Sequence, residues 1–260
     1  MKYVQLLTHE IGTQCNLSID HWNKCPVGKL VYSREDRQLD DEVIVEDIRI
    51  AFDMGFSGMV MWQFYSEPLL YLDRIEILKL KILEVVPKVR FLLWTNGKLI
   101  GDQVNPERLR IFSKIVISNY SRKNWDWLKE YVPDIKVVSG HLDGRLSVGR
   151  YTRKRCLRLY HELIIDAYGN WRLCCGDYLG TAVKMNVFTD GFPAIVKEYQ
   201  RLRELISEEP QRDVPALCQR CSVHGRGVVN NLVDQPFSSI SKMLLSQGIS
   251  PDNRRSARYE

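Results

Sequence analysis

Short apolar runs alternate with amphipathic stretches along the first 140 residues. Five runs have the continuous apolar character of buried strands, at residues 3–11, 58–62, 89–94, 114–118 and 135–139. The stretches between them predict helices at about 40–54, 71–86, 105–112 and 125–131. This alternation favours parallel strands with crossover helices. The segment is too short for a closed eight-stranded barrel, so we expect an α/β fold, a partial parallel (β/α) barrel or open sheet, over residues 1–150.

The pattern changes in the second half of the chain. Residues 163–166 and 171–174 predict a β-hairpin that turns at Tyr168-Gly169-Asn170, where glycine permits a positive φ. A helix is expected at about 193–206, before a proline-containing loop. We therefore expect a small cysteine-ligated module of hairpin and helix at 151–225, and a partly disordered C-terminal extension at 226–260.

The cysteines carry the strongest chemical signal. Cys156, Gly169 and Cys174 follow the spacing C-x12-G-x4-C, and Cys218 and Cys221 form C-x2-C. Seven cysteines in a chain of this length favour metal ligation over a disulfide framework. Four thiolates suit zinc or an iron–sulfur cluster, while buried apolar thiols remain the simplest alternative.

Composition and charge limit the remaining possibilities. No apolar run approaches 18 residues and the first residues do not resemble a secretory signal, so we expect no membrane span and a cytoplasmic location with reduced thiols. The formal net charge is +5, and part of it is concentrated at residues 145–158. This basic stretch, with C-x2-C, leaves open a zinc-bound nucleic-acid module, although we regard nucleic acid as an unfavoured partner.

From Cys156 to Cys221 the sequence resembles the auxiliary-cluster domain of radical S-adenosylmethionine (SAM) enzymes, in its short "twitch" form, a truncated SPASM domain. The likeness rests on Ile164-Ile165-Asp166, on Gly169 and on Leu173-Cys174-Cys175-Gly176-Asp177. It implies one auxiliary [4Fe–4S] cluster. The implied ligands are Cys156, Cys174, Cys218 and Cys221, and Cys175 is an open alternative to Cys174.

The first half resembles the radical SAM core in three segments. Glu10 to Ser18 looks like the opening strand and loop, Tyr65 to Leu70 looks like the Gly-Gly-Glu-Pro segment, and Trp94 to Gly97 looks like the strand end beside the SAM ribose. The resemblance implies that SAM is a cofactor. The residues expected to contact it are Ser66, Glu67, Thr95 and Asn96.

The chain departs from this family at the core cluster. The family holds that cluster with C-x3-C-x2-C, but here Cys15 is followed by Ile19 and Trp22 at the other two positions. Cys25 is the next cysteine. Three interpretations stay open: Cys15 and Cys25 hold a variant cluster with a third group such as His21 or Asp20, the core cluster is lost, or another cofactor binds.

The resemblance implies a radical SAM oxidoreductase or modifying enzyme. Its short auxiliary domain is similar to those of sugar or cyclitol dehydrogenases, and the same architecture also serves peptide modification. The expected partners are a small-molecule or peptide substrate and a reductant protein such as a flavodoxin or ferredoxin. The alternative is a catalytically silent binding protein that keeps only the auxiliary cluster.

Overall fold

The computed structural model describes residues 1–17, 34–121, 123–139, 159, 161–174, 176–177, 180–207, 215 and 218. Cys25, Cys156, Cys175 and Cys221 lie outside these residues, as do Asp20 and His21. The structural statements that follow concern the described residues.

A seven-stranded sheet forms the centre of the protein. Its strands are β1 (Leu6–His9), β2 (Met59–Met61), β3 (Arg90–Thr95), β4 (Lys114–Asn119), β5 (Ile135–Ser139), β6 (Glu162–Ile165) and β7 (Trp171–Arg172). The order across the sheet is β5-β4-β3-β2-β1-β6-β7, and every pairing is parallel except β6 with β7. The mostly parallel α/β architecture is confirmed, and it is consistent with a partial (β/α) barrel.

Within the described residues, three α-helices accompany the sheet: α1 (Asp41–Asp53), α2 (Leu72–Val85) and α3 (Phe192–Ser207). Helix α1 begins after Asp40, whose carboxylate accepts a hydrogen bond from the backbone of Glu42 at 2.9 Å. The predicted helices near 105–112 and 125–131 are 3₁₀ helices, Pro106–Ile111 and Asp126–Glu130. Such short connections complete only one or two turns, a length at which i→i+3 bonding is common.

The two faces of the sheet differ in what they bury. Alternate residues such as Val60, Phe91 and Ile115 join the main core with the helices. The residues between them, Met61, Leu92 and Val116, form a second buried apolar strip on the opposite face. Strands buried on both faces explain why the sequence shows continuous apolar runs rather than strict alternation.

The β6–β7 hairpin extends the sheet beyond β1. Strand β6 pairs in parallel with β1, so the segment preceding the predicted cysteine loop belongs to the same sheet as the first five strands. The turn is closed by Asp166, whose carboxylate accepts hydrogen bonds from the backbone N–H groups of Tyr168 and Asn170, both at 2.9 Å. Gly169 has φ +80°, which confirms the predicted positive φ.

In the part of the chain that the structure describes, none of the helices combines the length and the apolar character needed to cross a membrane.

Replacing Gly169 with alanine is expected to lower the free energy of unfolding by about 1–2 kcal/mol, because L-residues disfavour the left-handed region. Gly101→Ala is the matched control, since Gly101 has φ +90° and no neighbour within 4 Å of the added carbon. At Gly169 that carbon would also meet the Phe188 ring at 2.7 Å and the Val187 side chain, which packs against the main core, at 2.9 Å. Chemical denaturation should therefore give a loss of about 1–2 kcal/mol for Gly101→Ala and a loss at the upper end of this range or above for Gly169→Ala, and a smaller loss at Gly169 than at Gly101 would contradict this.

Candidate functional site

The candidate site lies where β1, β2 and β3 end. Their carboxyl ends lead into residues 10–17, 62–67 and 96–97, which overlap all three segments that resemble the radical SAM core. In parallel α/β sheets, ligands bind at this edge, because the loops that follow adjacent strands converge there.

A buried carboxylate links two of these segments. Glu67 is 2% exposed, and its Oε1 accepts hydrogen bonds from Thr95 Oγ1 at 2.7 Å and from the Leu69 N–H at 3.1 Å. Its Oε2 accepts from the Asn96 N–H at 2.9 Å. Glu67, Thr95 and Asn96 are therefore in direct contact, and Ser66 directly precedes Glu67 in the chain.

The loop that carries Cys15 packs against the same cluster. The Asn96 side chain donates from Nδ2 to Asn16 Oδ1 at 2.7 Å, and the Glu67 N–H donates to the Gln14 carbonyl at 2.9 Å. The structure thus brings Cys15 into the neighbourhood of all four residues predicted to contact SAM.

Gly12 is required by this arrangement. The Tyr71 hydroxyl accepts a hydrogen bond from the Gln14 N–H at 2.9 Å, and the Tyr71 ring passes over Gly12. A Cβ at position 12 would lie 2.3 Å from Tyr71 Cζ, which is impossible without movement. Glycine therefore lets the ring approach and anchor the loop one residue before Cys15.

The Ser66 hydroxyl is the one buried polar atom of the cluster that has no hydrogen-bond partner among the described residues. Ser66 is 4% exposed, and an unsatisfied buried hydroxyl costs about 1–3 kcal/mol. Glu67, by contrast, already accepts three protein hydrogen bonds and retains capacity for about one more. The arrangement suits a polar ligand group at Ser66, with Glu67 largely committed to holding the loops.

A second buried carboxylate, Glu10, joins the ends of three strands. Glu10 Oε1 accepts from the Tyr65 N–H at 2.8 Å, and Oε2 accepts from the Ala167 N–H at 3.3 Å. Arg34 binds both oxygens, at 2.7 Å from Nη1 and through a second bond from Nη2. Burial opposes the charged guanidinium, but the hydrogen bonds and charge of Glu10 prevail and raise the pKa of Arg34.

Sequence reasoning missed this role of Glu10. The available signal was a charged residue directly after a buried strand, where it must find buried partners. Its cationic partner is 24 residues away in the chain, and nothing local to either residue identifies the pairing.

Residues 34–37 connect the Cys15 side of the site to the hairpin. Thr13 Oγ1 donates to the Glu35 carbonyl at 2.9 Å and accepts from the Arg37 N–H at 3.1 Å. The Tyr168 hydroxyl donates to the same carbonyl at 3.1 Å, and the guanidinium groups of Arg34 and Arg37 lie 5.8 and 5.5 Å from the Tyr168 ring centroid. This segment is thus held from both sides.

The Cys174 loop is ordered by buried Asp177. The Asp177 carboxylate accepts from the Leu173 N–H at 3.2 Å, the Thr181 N–H at 3.0 Å and the Ala182 N–H at 3.2 Å. Burial raises the pKa of Asp177, although these hydrogen bonds oppose the shift. The carboxylate fixes both ends of the turn in which Cys174 lies.

Both loop cysteines receive backbone hydrogen bonds. The Leu17 N–H donates to Cys15 Sγ at 3.4 Å, and the Gly176 N–H donates to Cys174 Sγ at 3.3 Å. Such i to i+2 N–H···S bonds stabilise thiolate character and are among the contacts that tune cluster sulfurs. The local environment of both residues therefore fits thiolate ligands.

The other predicted ligands are not brought together within the described ranges. Cys218 is buried against the main core, and its N–H donates to the Pro215 carbonyl at 2.8 Å. Cys25, Cys156 and Cys221 lie outside the described residues. Among the residues that are described, no three His, Cys, Asp or Glu side chains form a group able to hold a metal ion.

Removing one partner of the Glu10–Arg34 pair should be costly, because the other charge is left buried. We expect Arg34→Met to lower the free energy of unfolding by about 3–5 kcal/mol. The double variant with Glu10→Gln should recover part of this loss, a coupling that a double-mutant cycle in chemical denaturation will measure. Arg49→Met, which breaks only exposed ion pairs, is the control and should have little effect. Strictly additive losses would contradict a coupled pair.

The buried carboxyl group of Glu67 should make stability depend on pH. Desolvation raises its pKa from 4.5 to about 7, against the opposing hydrogen bonds from Asn96, Thr95 and Leu69. The folded state then holds a proton that the unfolded chain releases, so the free energy of unfolding falls as pH rises from 4.5 through 7. The contribution is on the order of 3 kcal/mol.

Glu67→Gln is expected to remove this component of the pH dependence. Denaturation of both proteins between pH 4.5 and 8 isolates it, because all other titrating groups are shared. If the two stability curves remain parallel across this range, the assigned shift of Glu67 is wrong.

Comparisons with solved structures identify the fold. BtrN in complex with AdoMet and 2-DOIA is 19% identical, with a TM-score of 0.59 over 84% of this chain and 93% of BtrN. Selenomethionine-labelled BtrN in an open conformation is 20% identical, with a TM-score of 0.59 over 84% of this chain and 92% of BtrN. SuiB of Streptococcus suis bound to precursor peptide SuiA is 16% identical over 81% of this chain and 66% of SuiB, and its TM-score of 0.41 is too low to support an inference.

No protein-family profile matches the sequence, and no curated protein matches it either. The fold is therefore established by structure alone. The described residues have a fold similar to that of BtrN.

Proposed function

We propose that this chain is a radical SAM-type iron–sulfur enzyme that abstracts hydrogen from a small molecule, such as a sugar or cyclitol, or from a peptide. The observation that carries the proposal is the convergence of Ser66, Glu67, Thr95 and Asn96 with the Cys15 loop, at the ligand-binding edge of a sheet with the BtrN fold. Since the BtrN structure contains AdoMet and 2-DOIA, we favour SAM and a small molecule over a peptide.

Of the four residues predicted to contact SAM, we assign Ser66 and Glu67 to direct polar contacts, and Thr95 and Asn96 to holding Glu67 and the Cys15 loop in place. The unsatisfied Ser66 hydroxyl supports a ligand contact at this position. Glu67 retains room for one further donor, such as an ammonium group, beside its three protein hydrogen bonds. A reduced core cluster would supply the one electron that cleaves bound SAM into methionine and a 5′-deoxyadenosyl radical, and this radical would abstract the substrate hydrogen.

For the auxiliary [4Fe–4S] cluster, we propose the ligands Cys156, Cys174, Cys218 and Cys221 in a twitch/SPASM-like module at residues 151–225. Support comes from the N–H···S bond to Cys174 and from the Asp177 carboxylate that fixes its loop. Reduced thiols are needed for this ligand set, and for that reason we place the protein in the cytoplasm.

At the core site, we propose a set of cluster ligands that differs from the three cysteines of the family. Ile19 and Trp22 offer no donor to iron, so we assign a variant cluster to Cys15 and Cys25 with a third group such as His21 or Asp20. The N–H···S bond to Cys15 supports a thiolate there.

The alternative function is a catalytically silent binding protein that retains only the auxiliary cluster. Two observations favour it. The core motif has one cysteine where the family has three, and Glu67 is already bonded to three protein donors. Such a protein would keep the fold and the auxiliary site without cleaving SAM.

Anaerobic purification followed by iron, sulfide and zinc analysis separates these functions. The enzyme should contain about eight irons, as expected for two [4Fe–4S] clusters, and should cleave SAM when reduced. Cys15→Ala should lower the iron content to about four and abolish cleavage. Cys174→Ala should also lower iron but leave SAM cleavage detectable.

Cys175→Ala is the matched control and should retain full iron content if Cys174 is the ligand. About four irons in the unmodified protein, unaffected by Cys15→Ala and without SAM cleavage, would support the silent protein. Zinc without iron or sulfide would contradict both functions.

A further inference from the structure

A groove runs along the outer side of the C-terminal part of the fold, between β7, residues 182–185 and α3. Its volume is about 590 Å³. Trp171, Val183, Met185 and Leu202 supply its apolar floor, and Pro215 closes one side. The Trp171 N–H donates to the Met185 carbonyl at 2.9 Å, so strand and loop are fixed to each other at the floor.

The rim of the groove is positively charged. Lys184 and Lys197 are both exposed, and neither has an ion-pair partner among the described residues. Arg201 pairs with Glu198 at 2.6 Å, which neutralises those two charges. The described lining therefore carries two uncompensated positive charges beside an apolar surface.

The groove also lies close to two cysteines of the proposed auxiliary site. Trp171 precedes Cys174 by three residues, and Pro215 precedes Cys218 by three. Three residues span at most about 10 Å even when fully extended. The Cys218 N–H donates to the Pro215 carbonyl at 2.8 Å. This hydrogen bond closes residues 215–218 into a turn, which brings Cys218 closer to Pro215 than an extended chain would.

We propose that this groove is the docking site for a small acidic electron-carrier protein that exchanges electrons with the auxiliary cluster. The inference rests on the proposed function, because it requires that cluster. One electron passes from the reduced carrier to the oxidised cluster, so the carrier is oxidised and the cluster reduced, and no covalent bond is made or broken. The same contact serves transfer in the reverse direction.

Charge and size both suit such a partner. A positive rim attracts an acidic surface and raises the rate of productive encounters, an effect that salt screens. Electron-transfer complexes are small and transient, with buried areas below about 1,200 Å², so an apolar floor ringed by a few charges is sufficient. A carrier seated here would approach the segments of both Cys174 and Cys218.

The test compares two charge-reversal variants of the iron-loaded, full-length protein. The groove variant is Lys184→Glu with Lys197→Glu. The matched control is Lys88→Glu with Lys123→Glu, which changes net charge equally at two exposed lysines beside β3 and β4, across the sheet from β7. Reduced flavodoxin, an acidic carrier, is the probe in anaerobic stopped-flow spectroscopy.

We expect the second-order rate constant for reduction by flavodoxin to fall at least tenfold at low salt in the groove variant, and its salt dependence to flatten. The control variant carries the same change in net charge and should lose rate by a clearly smaller factor, because its lysines lie outside the docking surface and act only through long-range steering. Iron content, sulfide content and reduction by dithionite should be unchanged in both variants, which shows that the cluster is intact.

Equal rates for the groove and control variants, with iron present, would overturn the docking site and leave the proposed function standing. A rate of reduction by flavodoxin that does not depend on salt concentration would also overturn the docking site. Absence of iron and sulfide from the unmodified protein would overturn the proposed function, and this inference with it.

Discussion

The buried carboxylate of Glu10 is the constraint on which the arrangement of the site depends. It follows β1 directly, bonds the backbone after β2 and after β6, and is neutralised by Arg34. Each of these bonds joins segments far apart in the chain. Because an ionised carboxylate in a buried environment is tolerated only when its charge and acceptor positions are satisfied, the three strand ends and the Arg34 segment must come together as a unit.

Glu67 performs a comparable task one strand further along. Its bonds to Thr95 and Asn96 join the β2 and β3 ends, as Glu10 joins those of β1, β2 and β6. Glu10 and Glu67 are separated in sequence by helix α1 and β2. Both nevertheless hold the connection that follows β2, because Glu10 accepts a hydrogen bond from the Tyr65 N–H and Glu67 is part of that connection. The loop edge is therefore built from buried polar groups, while the apolar strips beneath it supply most of the burial. Such satisfied networks favour one specific arrangement of loops over many alternatives.

Local patterns predicted the elements of this fold well, because the strands are short apolar runs and the α-helices carry apolar stripes. Asp40, Gly169 and Asp166 act as their local chemistry indicates. Long-range pairings were not predictable in the same way. Nothing near Arg34 points to Glu10, and nothing near Asn16 points to Asn96, so these contacts emerge only once the sheet has set the strand order. The pairing of β6 with β1 is of the same kind.

The chain departs from the radical SAM pattern in the segment that follows Cys15. Although Ile19 and Trp22 stand where the family has cysteines, Glu67 and Asn96 remain connected to the Cys15 loop through the bond between Asn96 and Asn16. A chain that had lost all ligand binding would gain stability by replacing the unsatisfied Ser66 hydroxyl with an apolar group. The unsatisfied hydroxyl lies next to Glu67 in the chain and supports the proposal that a polar ligand binds at this edge of the sheet.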